Sequence, residues 1–119
     1  MYTGKLNDEN ISCIFRDAAD FMRRELRCGD HTLYAYAIDG LIASAYASDY
    51  IFKPITQHLE APTMELLYER ALSGMIYNNV AKPCEDLDAA AMLLVNGFCV
   101  VLFPEVGAIA FEVRTPDKR

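Results

Sequence analysis

At 119 residues, 53% of them hydrophobic, the chain is long enough for one domain and too apolar for intrinsic disorder. Seventeen Asp and Glu against eleven Lys and Arg leave a formal charge of -6, which argues against a nucleic-acid binder with a basic face. The longest apolar runs, Ala89 to Val95 and Phe98 to Phe103, fall far short of the roughly 20 residues of a spanning helix. Asp8 and Glu9 near the start, with no apolar h-region, exclude a secretory signal, so the expectation is a soluble, intracellular chain.

In chain order, Asn7 to Asp17 reads as a helix. Asn7 is its N-cap, Asp8 and Glu9 complement the dipole, and Ile11, Ile14 and Phe15 form the apolar stripe. Asp20 to Cys28 fits two patterns. Phe21, Met22 and Leu26 would extend the helix, while Met22, Arg24, Leu26 and Cys28 alternate as in a strand. Arg23, Arg24 and Arg27 cluster there around Glu25 and read as a solvated face. Gly29-Asp30 signals a turn, and Leu33 to Ile38 reads as a strand covered on both faces. If the preceding stretch is a strand, the two make a hairpin.

Asp39-Gly40 ends that strand, and a helix is expected from about Ile42 to Lys53, stopped by Pro54. Thr63 caps a helix through Leu72 that buries Leu67, Ala71 and Leu72 and stops at Gly74. Asp86 caps another, with Leu87, Ala90, Ala91 and Leu94 inward and Gly97 at C′. Two strands follow. Phe98 to Phe103 is wholly apolar, and Ala108 to Arg114 alternates, with Ile109, Phe111 and Val113 on one face. The last is read as an edge open to pairing with another chain. The expected fold is a single small α/β domain over residues 1–119. Its mixed or antiparallel sheet of about four strands is covered by helices, in the order helix, two strands, helices, two strands.

The chemistry is sparse. Cys13, Cys28, Cys84 and Cys99 form no CxxC pair and no metal-ligand spacing with His31 or His58, so free buried thiols are expected, with no metal site and no disulfides. Neither GxGxxG, GxxxxGK nor GxSxG occurs, and no cofactor or catalytic residue is implied. His31 reads as a solvated turn residue and His58 as a complement to a helix C-terminus. Asp39 is the most informative carboxylate, because strand ends are where α/β sheets take ligands. Beside that stands the reading of Asp39-Gly40 as a plain turn and cap.

Three ordered patches, Phe15 to Phe21 with Arg24-Glu25, Ala37 to Ile42 with Tyr50 to Ile55, and Asp86 to Val101, together resemble the N-terminal soluble domain of the GerA family, the A subunits of bacterial spore germination receptors. Phe15-Arg16-Asp17-Ala18-Ala19-Asp20-Phe21, followed by Arg24-Glu25, is similar to the family's opening helix and strand. Ala37-Ile38-Asp39-Gly40-Leu41-Ile42, then Tyr50-Ile51-Phe52-Lys53-Pro54-Ile55, is similar to its strand turn and later helix end. Asp86 to Val101 is similar to its helix, Gly stop and apolar strand. The likeness runs from about Asn7 to Arg119. It departs at Ala43 and Phe98, where acidic residues are usual, and at Glu105-Val106-Gly107, where the family often has an Asp-Gly turn.

The resemblance implies that Asp20 to Cys28 is a strand. It implies a fragment, the first soluble subdomain of a larger protein that reaches the membrane only through a C-terminal region beyond this chain. The implied role is a non-enzymatic module of a germinant receptor at the spore inner membrane, on its inner side. Its partners would be other receptor subunits and a small nutrient ligand, and its task the sensing and transmission of the germination signal. The ligand position comes from the strand-terminal place of Asp39 and not from the resemblance: a ligand would meet Asp39, Gly40 and Lys53 at the strand-helix end. The alternative is a purely structural platform for receptor assembly that binds nothing small.

Overall fold

The computed structural model describes residues 2–38, 52–58, 60–73 and 79–113. Helix α1 (Asp8–Ile14) begins where Asn7 accepts the Asn10 N–H on its side chain at 2.8 Å. It ends sooner than the expected Asp17, because Phe15 to Asp17 turn away through bonds from Arg16 N to Cys13 O and from Ala18 N to Phe15 O. Strands β1 (Phe21–Cys28) and β2 (His31–Ile38) then form the hairpin. Gly29, at φ +60, is the first of the two loop residues, the position where a II′ turn needs a left-handed backbone. The ambiguous stretch is thus a strand.

Helix α2 (Lys53–His58) corrects one expectation: Pro54 lies in the first turn of a helix rather than stopping one. The expected helix over 42–51, Asp39, Gly40, Gly74 and the tail from Arg114 lie outside the described residues. Helix α3 (Met64–Leu72) starts at Thr63, whose Oγ1 accepts the Leu66 N–H at 3.2 Å; it buries Leu67 and Ala71, and Ser73 is its C-cap. Helix α4 (Leu87–Val95) has Asp86 accepting the Ala89 N–H at 2.8 Å and Leu87, Ala90, Ala91 and Leu94 buried. Its end is a Schellman motif: Gly97, at φ +91, donates to Leu94 O and Phe98 to Leu93 O.

A further strand, β3 (Asn79–Cys84), precedes α4, and β4 (Cys99–Phe103) and β5 (Gly107–Val113) follow it. The sheet therefore has five strands rather than about four, in the order β1-β2-β4-β5-β3, with every pairing antiparallel. Lys82-Pro83 hid β3 by breaking both the apolar run and the donor ladder, which a strand at the sheet's margin tolerates. β5 is not an edge: it lies between β4 and β3. Its alternation is of large against small side chains, with Ile109 and Phe111 on one face and Ala108 and Ala110 on the other, all buried.

Helices cover both faces. On one, α2 and α3 pack Ile55, Leu67 and Ala71 against Leu33, Ala35, Val101, Phe103, Ile109 and Phe111. On the other, α1 and α4 pack Ile11, Ala90 and Leu94 against Tyr36, Val100, Leu102, Ala108 and Ala110. Small residues on β2 and β5 let the helices approach the sheet closely.

Candidate functional site

The densest polar constellation sits where α1 crosses the sheet. Arg23 on β1 and Tyr36 on β2 are cross-strand partners, so their side chains rise side by side from one face. Asp8, in the first turn of α1, reaches down to both. Its Oδ1 accepts from Tyr36 OH at 2.6 Å and from Arg23 Nε at 2.8 Å, and its Oδ2 accepts from the other Arg23 nitrogen, Nη2, at 2.7 Å. Ser12 Oγ approaches Oδ1 at 3.4 Å. This is a two-pronged guanidinium–carboxylate pair with a phenol added, the strong class of charge-assisted hydrogen bond. Phe15, Phe21 and Tyr36 stack beside it at ring separations of 5.0 and 5.9 Å, and the Arg23 guanidinium lies 4.8 Å over the Tyr34 ring.

The electrostatics follow from these contacts. The Arg23 hydrogen bond holds the Asp8 carboxyl below its ordinary range, against partial burial and with help from Tyr36. Burial, then the hydrogen bond to Asp8, pushes the Tyr36 phenol well above its usual value, so it stays a donor. Arg23 is held more firmly cationic by Asp8.

Beside this constellation lies a cleft of about 780 Å³. Tyr34 and Leu102 contribute from the sheet, Lys5 and Asp8 from the N-terminal segment and α1, Tyr68 from α3, and Glu105 from the β4–β5 turn. Tyr68 stands edge-on to Phe103 at 5.4 Å and is so close to Gly107 that a Cβ there would meet its ring at 3.2 Å. A second cleft, of about 650 Å³, lies under the β1–β2 turn and includes His31 and Arg70. His31 is not the solvated turn residue expected: it is half-buried, with Nε2 3.2 Å from Ala61 O.

Each cleft includes a buried cysteine, Cys84 in the first and Cys28, with His31, in the second, and Cys28 Sγ donates to Ile55 O at 3.0 Å. Cys28, Cys84 and Cys99 are buried, and burial pushes their thiols up to about 11, 12 and 12, the inert direction. Cys13 corrects the expectation of four buried thiols: it is exposed on α1, with Arg16 Nη2 2.9 Å from its sulfur. No group of three metal-ligating side chains occurs among the described residues. Of the three residues expected to meet a ligand, Lys53 is exposed at the start of α2, while Asp39 and Gly40 are outside the described residues. His58 was expected beyond the end of a helix stopped by Pro54; it is instead the last residue of α2.

The Asp8–Arg23–Tyr36 cluster is not visible in the sequence pattern, where Asp8 reads as a dipole complement, Arg23 as a solvated charge and Tyr36 as core. The one available signal was a phenol inside the apolar β2 run, since a buried Tyr hydroxyl requires a partner.

No family model and no curated protein matches the chain. Among solved structures it is similar to the N-terminal domain of the A subunit of the Bacillus megaterium spore germinant receptor GerK3, with a TM-score of 0.67 at 11% identity. The shared property is the fold. The likeness covers 98% of this chain and 49% of that one, so the chain spans about half the length of its neighbour. The architecture expected from the three sequence patches is thereby borne out. Among the described residues, no helix is long and apolar enough to cross a membrane.

Proposed function

We propose that this chain is a non-enzymatic soluble module of a bacterial spore germinant receptor that takes part in nutrient sensing and passes the signal to the membrane part. The observation that carries the reading is the similarity of fold to a receptor A-subunit domain along 98% of the chain, together with the three patches in family order. On this reading the module sits at the spore inner membrane, on its inner side. Other receptor subunits are its partners, and a small nutrient meets Asp39, Gly40 and Lys53. It acts by binding one state of the receptor better than another.

Deletion of the gene in spores of its own organism tests the reading. Loss of the germination response to at least one amino acid, sugar or nucleoside is expected, with restoration by the intact gene. Normal responses to the whole panel would overturn it. Asp39→Ala tests the ligand contact separately: assembly intact and nutrient response lost is the expected pair, and an unchanged response rejects the contact.

The second reading, a structural assembly platform, can no longer rest on β5 as an open edge. A different observation favours it: the outward apolar residues Met92 and Val95 of α4.

A further inference from the structure

The cleft of about 780 Å³ beside α1 has the size of a small-molecule site. Its lining changes character with depth. Leu102 and Cys84 are buried at its base, and the half-buried rings of Tyr34 and Tyr68 stand above them. Three exposed carboxylates, those of Glu9, Glu85 and Glu105, form the rim. They come from α1, the β3–α4 connection and the β4–β5 turn. The register sets Cys84 opposite Ala108, so Glu85 emerges beside the turn that carries Glu105, and Glu9 stands apart from both.

The rim charge is uncompensated. Among the described residues, none of these three carboxylates has an ion pair or a side-chain hydrogen bond. Asp8 is already neutralised by Arg23, and the one cation in the lining, Lys5, pairs with none of the three. Three carboxylates against one ammonium leave two negative charges unmatched.

A second observation at the base of the cleft also points to an occupant. Cys84 is only 6% exposed, yet its thiol has no hydrogen-bond partner among the described residues. Cys28 in the other cleft, by contrast, donates to Ile55 O. A thiol can both accept and donate a weak hydrogen bond, so a polar group entering the cleft would give Cys84 the partner that the fold does not.

We propose that this cleft binds a short aliphatic diamine, held as a dication. The reading goes beyond the receptor assignment and does not depend on it. Two positive charges match the two unmatched negative ones. The methylene stem lies on Leu102 and the tyrosine rings, whose faces also attract a cation. One ammonium meets Glu85 and Glu105, and the other meets Glu9. A single metal ion does not fit, because no three ligating side chains gather closely enough to share one; a diamine spans that spacing. An anion is repelled by the rim. A zwitterion brings no net charge and leaves the surplus unmatched.

Calorimetric titration of the chain with 1,4-diaminobutane at about 150 mM salt tests this, with n-butylamine and 4-aminobutyrate as singly charged and zwitterionic probes. Saturable one-site binding is expected, with a Kd of about 0.1–1 mM. It should weaken about five-fold for n-butylamine and at least as much for 4-aminobutyrate. Glu85→Gln and Glu105→Gln should each weaken both amines about five-fold. Glu9→Gln should weaken the diamine and leave n-butylamine unchanged. Asp20→Asn removes an exposed carboxylate outside the cleft and should alter nothing. Each variant should keep the circular dichroism of the native chain. Heats that do not saturate, equal affinity for 4-aminobutyrate, or unaltered binding in both Glu85→Gln and Glu105→Gln would each overturn the proposal. So would an equal loss in Asp20→Asn, the sign of mere counterion attraction to a chain of net charge -6.

Discussion

One carboxylate, that of Asp8, fastens a helix of seven residues to two strands. A helix that short is marginal by itself in water, so its persistence rests on tertiary ties. The pair with Arg23 is partly open, the two side chains being 36% and 31% exposed, and solvent screening holds its contribution to about 1 kcal/mol. Asp8→Asn should cost about that much at pH 7. The pH dependence has a definite sign. The folded Asp8 carboxyl ionises below its unfolded value, so its contribution is complete above about pH 4 and is lost as pH falls through the lower folded value. The gap between the native chain and Asp8→Asn should therefore narrow in acid. Urea unfolding at pH 7 and near pH 3 would show it, and an equal gap at both would mean that the charge has no part in the tie. Local pattern could mark Asp8 only as a helix-start residue. Its partners lie 15 and 28 residues away and are brought close by the hairpin register.

Element boundaries were legible where a side chain or a glycine closes the backbone's own hydrogen bonds. Asn7, Thr63 and Asp86 each accept an N–H three residues on, and Gly97 supplies the left-handed residue that α4 needs at its end. β3 was not legible, because Lys82-Pro83 resembles a loop until β5 is known to lie beside it. The β4–β5 connection adds a local conflict. Val106 N donates to Phe103 O at 3.0 Å, Pro104 holds the second position, and Glu105 takes φ +69, where a turn of this φ pattern favours glycine. A left-handed backbone costs an ordinary residue about 1–2 kcal/mol, partly offset in glycine by its greater unfolded-state freedom. Glu105→Gly should stabilise the chain by about 0.5–1 kcal/mol, raising Tm by a few degrees in a circular-dichroism melt. A lower Tm would show that the Glu105 side chain contributes more than its backbone costs.

Across the whole molecule, cohesion is greatest in the middle of the sheet. Val100, Val101, Phe103, Ile109, Ala110 and Phe111 are fully buried between the two helical layers, whereas Arg23, Arg24 and Glu25 on β1 are exposed. Local opening follows burial and ladder position. Native-state hydrogen exchange should find the amides of β4 and β5 opening only with global unfolding, and those of β1 exchanging through smaller openings. Equal protection in β1 and β5 would mean that the β1 margin is covered as firmly as the centre. The same ordering removes β5 as a docking edge and leaves the outer face of α4 as the apolar surface that the fold does not use.

The sequence by itself determined most of the helices and their caps, the β1–β2 turn, the two-faced burial of β2 and the final pair of strands. Those features depend on residues within a few positions of one another, through caps, turn glycines and side-chain period. Only the tertiary structure decided the fifth strand, the inner place of β5, the Asp8–Arg23–Tyr36 cluster, the seating of His31 against Ala61 and the outward stripe on α4. Each depends on strand order and on which helix lands on which face. Strand order comes from burying both faces of one sheet at once, a condition on the whole chain that no local window contains.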